Sequence, residues 1–477
     1  MSEAGRKVAP GVTSGAFPPP VTEPLMRPHL GAPLERVGWG TALDAVARRL
    51  GALRESAAVF TGTPATPELD HQHAKFAALV LGLAPRRPSA VSRAFGLDRG
   101  LPGPLSDLTA AGTVFVAGGE PGAVVRGGLE SAHGALIVAD PRRTPLARAA
   151  DLHLQLTPDT DVALANGLLQ LVVEDGLADE EYIAERTSGF DRVREQARGY
   201  WTARVERITG VPEASLREAV RLLAGGTRTV MLSTHENDDQ VTAFVNLALA
   251  LGLPGVAGSG FGRVAGERPP AWSPRMLGAD GGPRGLLLFA ADPVGAASGA
   301  AALETRLSEL ELLVVADSVL SETALRADIV LPVADEAAEL RVLAELARRL
   351  GAPGAWSGTP AEVFAELAGD EARPFLDRFA TGDGRALFAP VQHRGPDEHI
   401  DSEYPLHLTS DPGLPRAAVE LHPVLAGRLN VGSGGRVRVV SRHGSRVGEA
   451  RFSDVLREDT VCLPDDVHGR AARVEPA

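Results

Sequence analysis

The side chains best suited to chemistry in this chain stand just past short β-branched or leucine-rich runs. Ala117-Gly-Gly-Glu-Pro-Gly122 follows one run, and Gly118 and Gly119 would let the backbone come close to a ligand; a plain structural turn reads the same residues as well. Val138-Ala-Asp-Pro-Arg142 follows another. There the Asp140 carboxylate could accept from ribose hydroxyls or a guanine edge, and the Arg142 guanidinium offers planar donors. Asp161, closing Thr157-Pro-Asp-Thr-Asp161, could contact a ligand or N-cap the helix behind it. Two further runs end in Phe289-Ala-Ala-Asp-Pro293 and Val315-Ala-Asp-Ser, and the second leads into Ser321-Glu-Thr-Ala, which places Asp317, Ser321 and Thr323 together. If these runs are parallel strands, all of these residues lie at carboxyl ends, where loops and helix N-termini present N–H groups to phosphates.

Other constellations are weaker. His71-Gln-His73 could be read as a metal pair, but alternate residues diverge on a helix and no third ligand is indicated, so a solvated helix face is expected. Ser233-Thr-His-Glu-Asn-Asp-Asp239 is either a polar turn facing a ligand or the cap of the helix before Val241. Cys462 is the single cysteine in 477 residues, so the chain by itself can hold neither an iron–sulfur cluster nor a thiolate zinc site. It is expected in the last barrel strand as a buried small hydrophobe. Nucleophile elbows and phosphate-loop lysine motifs are absent.

The elements that must hold these residues alternate in period. From residue 40 onward, short apolar runs alternate with amphipathic helical stretches, which implies parallel sheets covered by helices. Leu43, Val46, Ala47, Leu50 and Leu53 form a helical stripe, and strands are expected at Ala57–Phe60, Thr113–Ala117 and Ala135–Ala139. Asp151–Leu156 alternates as a strand, and helices cover Asp161–Ala224. A second α/β unit is expected from the strands Thr229–Leu232, Gly285–Phe289 and Leu312–Ala316, with a long loop over Gly252–Gly285. Past Tyr404, strands at Leu406–Thr409, Arg436–Val440, Arg446–Phe452 and Thr460–Leu463, separated by glycine-rich turns, suggest a small β-barrel.

Composition sets the outer limits. A net charge of −13 argues against general nucleic-acid binding, which needs a basic surface to displace counterions from phosphate. No stretch is long and apolar enough to span a bilayer; the nearest, Val241–Gly258, is broken by Thr242, Asn246 and Pro254. The first twenty residues read as a flexible leader without a secretory signal, so a cytoplasmic location is expected.

Taken in order, these segments resemble the molybdopterin oxidoreductases, the group that includes nitrate reductases and formate dehydrogenases and holds molybdenum between two pterin guanine dinucleotides. The resemblance runs from Val21 to about His468. It is carried by Asp140-Pro-Arg142 with Ala150-Asp-Leu-His-Leu and Thr160-Asp, by Asn246-Leu-Ala-Leu-Ala-Leu-Gly with Gly258-Ser-Gly-Phe-Gly262, by Ser321-Glu-Thr-Ala with Ala327-Asp-Ile-Val-Leu-Pro332, and by Val419-Glu-Leu-His-Pro423 in the barrel. Ser89-Ala-Val with Ala94-Phe-Gly-Leu-Asp-Arg-Gly-Leu-Pro102 is most similar to the assimilatory nitrate reductase branch.

The resemblance implies two doubly wound parallel-sheet units with an inserted helical stretch and a C-terminal β-barrel. The expected divisions are a leader to residue 20, a first α/β domain over 21–139, a second over 140–330, a return to the first over 331–395, and the barrel over 396–477. It also implies that Gly118, Gly119, Asp140, Arg142 and Asp161 face one nucleotide, and Asp317, Ser321 and Thr323 the other. The departures fall elsewhere. A proline-rich leader occupies the place of the cysteine-rich segment, so no iron–sulfur cluster is expected in this chain. Arg86 stands where the metal-ligating cysteine would be, leaving Ser89 as the nearest oxygen ligand for molybdenum. Arg86 or Arg87 could set a guanidinium in the cation's place against Glu120, which replaces a usual asparagine. No residue is assigned a catalytic or metal-ligating role. The reading is a nitrate-reductase-like paralogue that binds a pterin guanine dinucleotide beside a redox partner subunit carrying the iron–sulfur centres. An active molybdenum oxidoreductase and a cofactor-free scaffold stay open as alternatives.

Overall fold

The computed structural model describes residues 19–29, 31–62, 66–82, 89–96, 100–103, 105–264, 266, 282–296, 300–363, 377–395, 400–411, 414–415, 417–464 and 470–477. The chain divides into two compact units, Met1–Arg87 with Pro269–Asp370, and Pro88–Arg268 with Glu371–Ala477. It is a mixed α/β protein with two parallel sheets and a closed six-strand barrel, as the sequence pattern implies.

In the first unit the sheet runs Glu35–Arg36, Leu25–Met26, Ile329–Pro332, Leu312–Asp317, Gly285–Phe289, Ala57–Thr61. The last four are parallel neighbours, and Leu25–Met26 joins Ile329–Pro332 antiparallel. Leu286-Leu-Leu-Phe289 and Leu312-Leu-Val-Val315 are apolar at every position because helices cover both sheet faces. Successive side chains alternate between those faces. Leu287, Phe289 and Val314 pack with Val46, Phe76 and Leu343; Leu286, Leu288 and Val315 pack with Leu303 and Leu307.

The second unit's sheet runs Leu152–Leu154, Ala135–Ala139, Thr113–Ala117, Thr229–Ser233, Gly260–Arg263, all parallel. Phe115, Ile137 and Met231 meet Leu164, Leu168 and Phe244, from the helices Asp161–Glu174 and Asp238–Ala250. Both helices are apolar nearly all round because both are buried nearly all round. Helices Glu180–Arg186, Phe190–Ala197, Thr202–Thr209 and Glu213–Gly225 fill the expected helical stretch. The barrel closes as Leu406–Ser410, Thr460–Leu463, Ala418–Leu421, Gly444–Phe452, Arg436–Ser441, Ala471–Pro476.

Several sequence expectations change. Thr229–Ser233 does not share a sheet with Gly285–Phe289; it pairs with Thr113–Ala117, while Gly285–Phe289 pairs with Ala57–Thr61. Neighbouring strands in sequence usually pair, and here the chain leaves one sheet, builds another, and returns. The stretch expected as a loop over 252–285 contains Gly260–Arg263, whose glycines hide its strand character. A Cβ on Gly262 would sit 2.2 Å from the Gly100 carbonyl oxygen, so that close approach requires glycine. Ala418–Leu421 and Ala471–Pro476 are further barrel strands, which makes Thr460–Leu463 the penultimate strand.

Candidate functional site

In the second unit the chain starts at the central strand Thr113–Ala117, adds Ala135–Ala139 and Leu152–Leu154 on one side, and then crosses to add Thr229–Ser233 and Gly260–Arg263 on the other. The strand order therefore reverses between Thr113–Ala117 and Thr229–Ser233, which is where a doubly wound sheet opens a ligand crevice at its carboxyl ends. Gly118 turns the chain there with φ +94, and its N–H donates to the Ala139 oxygen at 3.0 Å. A Cβ on it would lie 2.6 Å from Thr234 Oγ1 and 3.3 Å from the His235 ring, so no other residue fits. The Gly119 oxygen accepts from Thr234 Oγ1 at 3.1 Å, tying the two strand exits together.

Asp161 is the first residue of its helix, with Thr160 at the cap position, so its carboxylate does not cap the helix as the N-cap reading expected. It is 4% exposed and points toward the exit of the Thr229–Ser233 strand. Oδ1 lies 2.9 Å from His235 Nε2, and Oδ2 accepts from Gln240 Nε2 at 3.1 Å. The other ring nitrogen, Nδ1, lies 3.0 Å from Ser233 Oγ, and the ring stacks on Phe244 at 5.8 Å between centroids. His235 is the functional candidate that sequence reasoning passed over. Its segment was noted as a polar turn, but nothing local signals that it meets a carboxylate 74 residues earlier. Helix capping is present too: Asn237 Oδ1 accepts from Asp239 N at 2.8 Å.

Asp140 and Arg142 form a tight turn at the neighbouring strand end, where Asp140 Oδ1 accepts from Arg142 N at 2.7 Å. The Asp140 carbonyl lies 2.9 Å from His153 Nε2, so that nitrogen carries the proton. Burial holds the His153 imidazole below its ordinary pKa, and Arg143 adds to the effect. Arg142 reaches Asp411 of the barrel at 2.9 Å. Burial works against the Arg142 charge, but Asp411 more than offsets it and the guanidinium is held above its ordinary value. Among the described residues, Arg142 Nε and Glu420 Oε2 are buried without partners. Cys462 sits in this neighbourhood, its thiol pushed up to about 11 by burial. Glu120 Oε1 accepts from Leu146 N at 2.8 Å, in the first turn of the helix Pro145–Ala149. Beside these strand ends lies a cavity of about 500 Å³ lined by His153, Gln155, Arg428, Arg457 and Asp459. Arg457 holds Asp459 through Nε and Nη2, both at 3.0 Å.

The remaining site candidates lie in the first unit. Asp317 Oδ1 accepts from Ser318 N at 2.7 Å, and burial together with the Asp292 charge pushes its carboxyl up. Ser321 Oγ accepts from Ala324 N at 3.3 Å. Thr323 is fully buried; its Oγ1 donates to Asp292 Oδ1 at 2.7 Å and accepts from Val294 N at 3.1 Å. Asp292 Oδ1 also takes the N–H groups of Thr323, at 2.9 Å, and Gly295, at 3.1 Å. Thr323 is thus committed to the turn through its hydroxyl and its amide.

Two other readings change. The expected solvated face at His71-Gln-His73 is buried at Gln72 and His73, because both fall in the Leu69, Phe76, Val80 stripe. His73 Nε2 lies 2.6 Å from Glu339 Oε1. Ser89 Oγ accepts from Ser92 N at 3.0 Å as a helix cap, while Arg86 and Arg87 lie outside the described residues.

A sheet that reverses its order above Gly118, a second parallel sheet and a small closed barrel define a doubly wound α/β protein with a barrel. Residues 21–336 match the family described as molybdopterin oxidoreductase, and the chain belongs to that family. It is similar to the assimilatory nitrate reductase catalytic subunit of Bacillus subtilis, 24% identical over 515 residues that take in 79% of this chain and 72% of the relative. It is also similar to formate dehydrogenase H of Escherichia coli, 24% identical over 521 residues, 82% of this chain and 73% of the relative. Among solved structures, acetylene hydratase from Pelobacter acetylenicus shares the fold with a TM-score of 0.63 at 16% identity, over 96% of this chain and 92% of that one. Among the described residues, no helix is long and apolar enough to cross a membrane.

Proposed function

We propose that this chain binds a pterin guanine dinucleotide at the carboxyl ends of the second unit's sheet, and works beside a redox partner subunit, in the cytoplasm, without redox turnover of its own. The observation that carries the reading is the reversal of strand order at Gly118, with Asp140, Arg142 and Asp161 on adjacent strand exits. The donor set suits such a group: Arg142 Nε is a buried donor without a protein partner, and a guanidinium pairs well with phosphate or a purine edge. Gly118 and Gly119 keep the backbone low, Asp140 and Asp161 offer acceptors for ribose or guanine donors, and Arg142 would neutralise an anionic tail. A pterin of this kind, when bound, supplies dithiolene sulfurs for a redox metal.

The chain's own side chains support the second half of the proposal. Its single thiol is held protonated in the barrel, and the Ser89 hydroxyl is spent on a helix cap. A second nucleotide at Asp317, Ser321 and Thr323 has less support: Asp317 Oδ1, Ser321 Oγ and Thr323 Oγ1 bind the turn they stand in, and though Asp140 Oδ1 does so too, it stands beside the unpartnered Arg142 Nε.

Purification from the native host, followed by denaturation and analysis of released small molecules and metals, tests both halves. About one guanine nucleotide per chain, with neither molybdenum nor tungsten, is expected. Near-stoichiometric metal contradicts the absence of turnover and favours an active oxidoreductase; no guanine nucleotide contradicts binding and favours a scaffold.

A further inference from the structure

At the strand reversal one imidazole closes over the Asp161 carboxylate. His235 leaves the Thr229–Ser233 strand and is gripped at both ring nitrogens, by Ser233 Oγ at 3.0 Å and Asp161 Oδ1 at 2.9 Å. Asp161 fixes the proton positions. A carboxylate only accepts, so Nε2–H donates to Asp161, and in the neutral ring Nδ1 accepts the Ser233 hydroxyl proton while Ser233 Oγ accepts from His235 N at 3.3 Å. The ring lies flat on Phe244, its plane within 10° of that ring, and reaches the space above Gly118. Arg263 Nε holds the His235 carbonyl at 3.0 Å, which anchors the backbone and leaves the side chain as the part that can swing. The Asp161 side chain is 5% exposed and the His235 side chain 10%, so the imidazole shields the carboxylate.

We propose that His235 is a built-in competitor for Asp161, and that a guanine nucleotide gains this carboxylate only by displacing the imidazole. The inference rests on the binding site proposed above. Asp161 carries two protein donors, His235 and Gln240, and its remaining lone pairs are shut in behind the imidazole, so a ligand amine or hydroxyl reaches the carboxylate by moving the ring. Apparent affinity falls by the fraction of molecules with the ring swung away. His235 is a positioning residue here: it acts through Asp161 and sets how readily the crevice opens. Gln240 does not compete in the same way, because it meets the other oxygen and stands on the helix rather than over Gly118.

The test is calorimetric titration of GDP into the full chain, produced in a host that makes no pterin, for wild type, His235→Ala and His235→Gln. His235→Ala is expected to bind about tenfold more tightly, and His235→Gln, which keeps a donor for Asp161, to bind like wild type. Equal or weaker binding by His235→Ala, while wild type binds, overturns the competitor role and leaves the site itself standing. No binding by any of the three overturns the site and the competitor with it. If His235→Ala does not fold, Ser233→Ala serves instead. It frees Nδ1 while keeping the ring, and a gain of about threefold is expected; unchanged or weaker binding overturns the proposal.

Discussion

The strand ends of the two parallel sheets carry similar residues and use them differently. In the first unit the strands Ala57–Thr61, Gly285–Phe289, Leu312–Asp317 and Ile329–Pro332 follow one another across the sheet without reversal. Their acidic and hydroxyl groups bind backbone: Asp292 takes two N–H groups and the Thr323 hydroxyl, and Asp317 takes the N–H groups of Ser318 and Val319. In the second unit the order reverses, and Asp161, His235 and Gln240 bind one another through side chains. A carboxylate that holds a turn by its amides cannot be given to a ligand without loss of the turn. One that holds other side chains can exchange them. The same acidic signal in sequence therefore marks architecture at Asp292, Asp317 and the Oδ1 of Asp140, and an exchangeable carboxylate at Asp161.

The largest expected effect falls on the architectural side. Asp292→Ala removes three hydrogen bonds to one charged oxygen, and hydrogen bonds to charged groups contribute roughly 1.5–3 kcal/mol each before relaxation. A loss of about 3 kcal/mol in denaturant-unfolding stability is expected. A loss under about 1 kcal/mol would remove the distinction drawn here. His235→Ala should cost less, about 1 kcal/mol, because Asp161 keeps Gln240 and sits in a helix first turn that favours negative charge. A loss equal to that of Asp292→Ala would mean that the second unit's network is architectural too.

Two smaller effects concern pH. The Asp317 carboxyl is raised by burial, so the native state takes up its proton more readily than the unfolded chain. Its contribution to stability therefore grows as pH falls from the raised value toward the ordinary carboxylate range. Asp317→Asn should abolish that gain in unfolding curves taken across mildly acid pH, and an unchanged profile counts against it. His153 is depressed, so its contribution is present above the ordinary histidine pKa and fades as pH falls below it. His153→Gln should flatten that loss; a slope as steep as in wild type would show that another group is responsible.

Much of the architecture was legible because its signals are local. The uninterrupted apolar runs at 285–289 and 312–316, the helical stripe from Leu43 to Leu53, and the glycine-punctuated strands past Tyr404 each announce their element within a few residues. Sheet membership was less legible. Pairing of Thr229–Ser233 with Thr113–Ala117 depends on the return of the chain rather than on either segment. In the site, Gly118, Asp140 and Asp161 could be named from their place after a strand, but His235 could not, since its meaning comes from Asp161 and Phe244. Gln72 and His73 misled for the opposite reason. Polar residues at buried positions of a helical stripe look solvated until the opposing Glu339 is placed.

Hydrogen–deuterium exchange of the full chain with and without saturating GDP tests the contrast between the two sheets most directly. Protection confined to segments 118–120, 140–142, 157–163 and 233–240, with 290–295 and 317–323 unchanged, is the predicted result. Protection at 317–323 with none at 118–120 or 233–240 would contradict it.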